Sequence, residues 1–544
     1  MLVVLISAGV FISTQTLMHG KTNDWAFSGP GIGQRIANSV KTAGTFNSIS
    51  SESMAMDSSL GFAVGGAKDI NNFRENIRNG FMPVATDITH EGLFYDYYFD
   101  TEQPQECNDL FCPTYSYAVS DDPLSGDTEH YLSVGLNSNL KESDFQRKKL
   151  NLVVVLDISG SMSSQFNRYY YDGVPSDNEG LSKMEVAKKS IVGLLDHLET
   201  DDRFGMVLFD STAELAKPLR DVESTDMDSI RKHIMELQPR GGTNMAAGMS
   251  KATELFDEYL EEDYDEYENR IIFLTDAMPN TGEISKKGLL GMTSSNSDNK
   301  VYTTFIGIGV DFNTELVEHI TKIRGSNYYS VHSSKEFTER MDDQFEYMVT
   351  PLVFDLKLEL ESDGWEIEKV YGSPEADEAT GEIMKVNTLF PSATIDGKTK
   401  GGIVLLKLKK TTGGDVTLKA KYETRSGNRE SSEASFSFGD GDFENTGIRK
   451  GILLSRYVNL MKGWTMDERE AHERPVAPII DYTDGIIDVP DRGLGKWERQ
   501  SIPLKISGHY ESIFEDFADY FENEMDEIGD EDLQEELDLL RKLS

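Results

Sequence analysis

Cysteine is nearly absent from this chain, with two residues in 544, Cys107 and Cys112. Two thiols with no second cysteine pair or histidine cluster nearby do not make a four-ligand zinc site. In an exported chain they form one local disulfide pinning the loop Glu106-Cys107-Asn108-Asp109-Leu110-Phe111-Cys112-Pro113; in a cytosolic chain they are two ordinary thiols. Positive charge is also scarce, 53 Lys+Arg against 95 Asp+Glu, for a net charge of −42. Such a surface repels nucleic acid and anionic lipid and attracts cations, so a nucleic-acid partner is not expected. Solubility, or adaptation to salty surroundings, accounts for the charge without any partner; a direct role in partner binding is the alternative. Catalytic signatures are missing too. There is no Gly-x-x-x-x-Gly-Lys-Ser/Thr phosphate loop and no Gly-x-Ser-x-Gly elbow around Ser161. His197, His233 and His319 fall within helical patterns, and no nucleophile–base pair is identifiable, so the chain is not expected to be an enzyme. The acidic stretch Asp257 to Glu268 lacks the spacing of a calcium loop and reads as a solvated helix end and loop.

Long apolar runs are confined to the start. Met1 to Ile12 is apolar, and the uncharged stretch reaches Met18, borderline for a membrane span of about 20 residues. Residues 1–20 therefore read as a secretory signal, without the usual basic flank, or as a membrane anchor. A buried N-terminal element is the other reading. No cysteine follows for lipid attachment. Residues 21–60, rich in Gly, Ser, Thr and Asn, read as a linker or disordered segment.

What is present is a change of hydrophobic rhythm along the chain. From 61 to 149 the pattern predicts a β-rich region, with a helix over Asp69 to Asn79 and strands at Tyr95 to Phe99 and Tyr131 to Leu136. From 150 to 348 strands and helices alternate. Candidate strands are Leu152–Leu156, Phe204–Phe209, Ile271–Leu274 and Val301–Ile308, mostly continuous apolar runs of the kind covered on both faces. Met184, Ala187, Ile191, Leu194, Leu195 and Leu198 line one face of a helix between the first two. This alternation predicts an α/β fold with a mostly parallel sheet and helices on both sides. A last helix is expected over Lys335 to Met348. From 351 to 441 alternating strands such as Val353 to Leu360 predict an antiparallel β-sandwich-like domain. From 445 to 544 the chain reads as helical and acidic, with Leu533, Leu537 and Leu540 on one face.

The densest chemistry lies at the end of the first candidate strand of the α/β region. Leu152-Val153-Val154-Val155-Leu156 runs into Asp157-Ile158-Ser159-Gly160-Ser161. Open α/β sheets bind ligands beyond the carboxyl ends of their strands. Thr243 lies in Arg240-Gly241-Gly242-Thr243-Asn244, ahead of a predicted helix, and Asp276 follows the apolar run Ile271-Ile272-Phe273-Leu274 and Thr275. Three loops at one sheet edge would bring together two carboxylates and three hydroxyls, hard oxygen donors suited to Mg²⁺, with Mn²⁺ or Ca²⁺ as alternatives. The absence of His and Cys disfavours zinc and copper. Two carboxylates leave a divalent ion under-coordinated, with room for water or for an acidic group of a partner.

These residues resemble the metal-ion-dependent adhesion site of von Willebrand factor type A domains, which has the form Asp-x-Ser-x-Ser followed by a Thr and an Asp. Asp157, Ser159, Ser161, Thr243 and Asp276 match all five positions. The resemblance covers about residues 150 to 348. It implies a Rossmann-like, doubly wound domain that binds a protein partner through Mg²⁺, commonly through an acidic residue of that partner. The overall layout is similar to that of exported bacterial proteins of this type. The domain also resembles those of inter-α-trypsin inhibitor heavy chains and calcium-channel accessory subunits. Together these imply a secreted, periplasmic or cell-surface adhesion or assembly protein, the N-terminal segment being either cleaved or a membrane attachment. A cytosolic chaperone-like module working with an ATPase is the alternative, and a metal-dependent hydrolase using Ser161 a weaker one. The insertion Ser164 to Leu181 carries Tyr169, Tyr170 and Tyr171 beside the site. Exposed tyrosines would suit partner binding; tyrosines packed on the body of the domain would not contribute to it.

Overall fold

The computed structural model describes residues 21–28, 59–102, 108–165, 181–260, 266–276, 286–309, 319, 322–331, 344–362, 364–374, 383–437, 443–473 and 502–544. The apolar N-terminal segment, Cys107, and Tyr169 to Tyr171 lie outside these residues, as does the start of the helix expected from Lys335.

The α/β region is built on a seven-stranded sheet. Its strands, in spatial order, are Gly66–Ala67, Asn327–Val331, Val301–Ile308, Tyr267–Thr275, Lys149–Asp157, Arg203–Phe209 and Ala213–Asp221. All neighbours pair in parallel except the last two, which form an antiparallel edge. The central strand Lys149–Asp157 is apolar without a break from Leu152 to Leu156 because both its faces are covered there. Leu152, Val154 and Leu156 pack with Met184 and Ile191 of the helix Lys183–Leu194 and with Ile230 of the helix Met227–Glu236. Val153 and Val155 pack on the opposite side, with Met245 and Met249 of the helix Met245–Glu254. Alternate side chains of a strand point to opposite faces, so a strand between two helical layers needs an aliphatic residue at each position. Each such side chain contributes about 1.5–3 kcal/mol by leaving water.

The four strands expected here are present. Ala213–Asp221 and the short strands at the other edge were not expected. Ala213–Asp221 carries Glu214, Lys217, Pro218 and Arg220, and such an edge strand shows no continuous apolar run. Glu268 corrects the expectation of a solvated loop through that position. It belongs to the strand Tyr267–Thr275, is only 4% exposed, and pairs with buried Arg270. Tyr95 to Phe99 likewise divides. Tyr95 closes the helix His90–Tyr95, which Thr89 caps by accepting from Gly92 N at 3.0 Å, and the strand is only Tyr98–Asp100.

The strands on either side of the α/β region interlock. One antiparallel sheet runs Arg429–Ser437, Asp415–Thr424, Val353–Glu361, Ile383–Ser392, Ser59–Val64 and Asn137–Lys141. A second runs Trp365–Tyr371, Ile403–Lys410, Thr128–Gly135 and Thr114–Asp121. Each sheet thus takes strands from before residue 149 and from after residue 351. Between the sheets lie Phe62, Leu132, Val134, Leu356, Leu358, Trp365, Val404, Leu406 and Leu418. The outer face of the second sheet, including Tyr131, Ile403 and Leu405, is covered by Leu453, Tyr457 and Met461 of the long helix Thr446–Glu473. Phe517 and Phe521 from Gly508–Ile528, and Leu537 and Leu540 from Gln534–Leu543, join that layer. The α/β domain is therefore held at both ends of its chain by one sandwich. Among the described residues no helix is long and apolar enough to cross a membrane.

Residues 21–28, expected to be part of a linker, are docked on the α/β domain. Thr22 bridges Thr225, and Ala26 N donates to Ala216 O at 2.7 Å along the edge strand. Asp24 pairs with buried Lys217 at 3.1 Å, and Trp25 stacks on His233 with ring centroids 5.2 Å apart. A composition rich in small polar residues does not reveal such anchoring by a few side chains.

Candidate functional site

Asp157 is the last residue of its strand and Asp276 directly follows the neighbouring one, so the parallel register brings both to the same sheet edge. Both carboxylates are fully buried, Ser159 and Thr243 nearly so, and Ser161 is 7% exposed. Past Asp157 the chain turns at Ser159 into a short 3-10 helix, Gly160–Ser163. Ser159 N donates to Asp157 Oδ1 at 2.8 Å, closing the turn. The two serine hydroxyls lie 3.0 Å apart, and Ser161 Oγ donates to Asp276 Oδ1 at 3.0 Å. Asp157, Ser159, Ser161 and Asp276 thus form one hydrogen-bonded string.

Thr243 comes from the third loop. Gly160 N donates to Gly241 O at 3.0 Å, and Arg240 N donates to Ile158 O, fastening this loop against the first. Gly241 has φ of +70°, in the left-handed region, and a Cβ there would lie 3.1 Å from Asp210 side-chain carbons; glycine meets both conditions. Asp210 fixes the loop from below. Its carbonyl accepts Asn244 N at 2.7 Å and its carboxylate accepts Arg240 Nε at 2.8 Å. Asn244 then caps the following helix by accepting Ala247 N at 3.1 Å.

Three supporting residues were not found from the sequence. Thr275 donates its hydroxyl to Asp157 Oδ2 at 2.7 Å. Asp210 follows an apolar strand just as Asp157 and Asp276 do, and that shared setting was the available signal. Lys183, fully buried, places Nζ 3.3 Å from Asp276 Oδ2; nothing in its local sequence marks it. Lys183 also sits where the insertion returns. Gln165 bridges Ser182, and Lys183 N donates to Ser164 O at 2.9 Å, so the two ends of the insertion meet beside the serine loop.

The electrostatics match the geometry. Burial, with the neighbouring Asp276 carboxylate, pushes Asp157 up to about 7, against the opposing hydrogen bonds from Ser159 and Thr275. Two carboxylates withdrawn from water at one point repel each other, and a divalent cation between them would remove that cost. The donor set fits such an ion: all oxygen, two charges, and hydroxyls on a short turn. Among the described residues no three His, Cys, Asp or Glu side chains converge on a metal position.

Residues 151–344 match the family model of the von Willebrand factor type A domain. Inter-alpha-trypsin inhibitor heavy chain H4 of Homo sapiens is 23% identical over 40% of this chain, spanning 22% of its own length. An uncharacterised protein of Synechocystis sp. is 26% identical over 40% of this chain, spanning 47% of its own length. The chain thus spans less than half the length of either relative. Among solved structures, a von Willebrand factor type A protein from Catenulispora acidiphila aligns with a TM-score of 0.39 and 14% identity, covering 67% of this chain and 81% of that one. Domains of this family bind a divalent metal and typically mediate metal-dependent protein–protein interaction. The matched span, the doubly wound sheet and the acid-and-hydroxyl cluster at its edge lead to one conclusion: residues 151–344 are a von Willebrand factor type A domain.

Proposed function

We propose that this protein binds a protein partner through Mg²⁺ held by Asp157, Ser159, Ser161, Thr243 and Asp276, acting in adhesion or complex assembly at the cell envelope or outside the cell. One observation carries the reading. Asp157, Ser159, Ser161 and Asp276 lie in a single hydrogen-bonded string at the carboxyl edge of the sheet, with Thr243 on the loop fastened against it. A bound Mg²⁺ would supply a Lewis-acidic coordination position that takes an acidic side chain of the partner. The protein's own part is to hold the oxygens in place. Thr275 orients Asp157, Ser161 orients Asp276, and the Gly241 turn presents Thr243. Tyr169, Tyr170 and Tyr171, in the insertion that begins and ends beside the site, would widen the contact with the partner. Export would agree with the apolar N-terminal segment, as cleaved signal or as membrane attachment, and with a Cys107–Cys112 disulfide. The function is one of binding, with no catalytic residues assigned.

The test is affinity capture from envelope and culture-medium fractions on the immobilised full chain, in Mg²⁺ and then in chelator. The expected result is a partner retained in Mg²⁺, released by chelator, and not retained by Asp157→Ala. Capture that is indifferent to both chelator and Asp157→Ala would refute the metal as the route of recognition.

A further inference from the structure

We propose that Lys183 sets the charge of the metal site, so that the bare cation is held weakly and tight binding requires an anionic ligand. This rests on the site reading above and adds a residue that is not itself a ligand. Lys183 and Asp276 are both fully buried, with Nζ and Oδ2 3.3 Å apart. An ammonium taken out of water is strongly disfavoured unless it is paired, so a lysine buried here calls for a reason. Its backbone cannot easily withdraw. Lys183 is the first residue of its helix, fixed by a reciprocal cap in which Ser182 Oγ accepts Glu185 N at 3.2 Å and Glu185 accepts Ser182 N at 2.9 Å. The bridge between Gln165 and Ser182 holds the same point from the other side.

Asp276 therefore has two duties. Its Oδ1 accepts from Ser161 within the oxygen cluster, while its Oδ2 faces the ammonium. Counting formal charges, Asp157 and Asp276 contribute two negatives and Lys183 one positive, which leaves one negative. A divalent cation turns that into one net positive charge in a buried enclosure, where unbalanced charge is costly. One external carboxylate restores neutrality. Without Lys183 the two aspartates alone would balance the cation, and the site would have no electrostatic need for a partner. Lys183 thus acts as a positioning residue that separates holding the metal from holding the ligand.

The experiment is calorimetric titration of Mn²⁺ into the full chain, with excess sodium acetate as the carboxylate probe or sodium chloride at matched ionic strength. In the wild type, acetate is expected to tighten Mn²⁺ binding several-fold. Lys183→Met is expected to bind Mn²⁺ roughly tenfold or more tightly in chloride and to lose most of the acetate effect. Lys183→Arg, which keeps the charge, is expected to retain the wild-type pattern. A merely structural lysine would change the unfolding temperature in Lys183→Met but not its Mn²⁺ affinity, and that result overturns the proposal. Acetate leaving wild-type Mn²⁺ affinity unchanged overturns it as well, whether or not the variants fold. Failure of the underlying site reading looks different: the wild type would then bind no Mn²⁺ at all.

Discussion

Thr275→Val removes one hydroxyl and almost no volume, and it strikes the site where the sequence motif does not reach. Thr275 Oγ1 donates to Asp157 Oδ2 at 2.7 Å, and neither residue is exposed to solvent. A hydrogen bond to a charged group contributes about 1.5–3 kcal/mol, and a buried acceptor left without its donor costs a comparable amount. Valine also leaves Asp157 less able to carry its charge, because this bond opposes the effects of burial and of Asp276. Loss of a residue that orients a metal ligand typically weakens metal binding by about 10–100-fold. The expected result is therefore a lower unfolding temperature in chelator, corresponding to about 1–2 kcal/mol, together with Mn²⁺ affinity reduced at least about tenfold. Differential scanning fluorimetry and calorimetric titration on the same preparation read the two effects. Thr275→Ser, which keeps the donor, should recover most of the affinity. Thr275→Val with wild-type Mn²⁺ affinity would refute the claim that this bond holds Asp157 for the metal.

Three further outcomes follow from particular contacts. In chelator, Asp157 stays protonated in the folded state up to about pH 7, while in the unfolded chain it ionises near 4. The folded state then binds more protons at this site, so the Asp157 contribution to stability is fully present below about pH 4 and is lost as pH rises towards 7; in chelator the melting temperature of the wild type should fall relative to that of Asp157→Asn over this window, and a difference independent of pH would contradict the burial argument. Asp24→Ala should destabilise the protein by roughly 1–3 kcal/mol in denaturant titration, because it removes the carboxylate 3.1 Å from the buried Lys217 ammonium and leaves it the Phe204 and Pro218 carbonyls and the Phe204 ring; no change would mean that residues 21–28 are not docked in solution. Glu536→Ala should cost about 1–3 kcal/mol and expose the C-terminal helices to limited proteolysis, since it strips one of the two buried carboxylates from Arg74, which keeps Asp96 at 2.7 Å, and the acceptor from Tyr97 OH.

The α/β fold was legible because its strands are covered on both faces. Continuous runs such as Leu152 to Leu156 and alternating helices leave little choice of architecture. Asp157, Ser159, Ser161 and Asp276 were legible as candidate ligands because oxygen side chains directly after apolar strands are a local pattern; Thr243, in a glycine-rich loop ahead of a helix, was legible through its match to the family pattern. Thr275 escaped although it adjoins Asp276, since only its direction, towards Asp157 on the neighbouring strand, gives it meaning. Lys183 escaped because its partner lies 93 residues away. The sandwich shows the same limit on a larger scale. The alternation in Val353 to Leu360 predicts a half-buried strand correctly, but it cannot disclose that Ser59–Val64 pairs with Ile383–Ser392 across the whole inserted domain. Residues 21–28 are anchored by Asp24 and Trp25, single side chains whose partners Lys217 and His233 carry no periodicity.

The central claim is that Asp157 and its neighbours hold a divalent cation. Calorimetric titration of Mg²⁺ into the wild-type chain and into Asp157→Ala tests it most directly. A single saturable site is expected in the wild type and none at the same position in the variant, with both proteins folded in chelator. Equal Mg²⁺ affinity in the two proteins would contradict it.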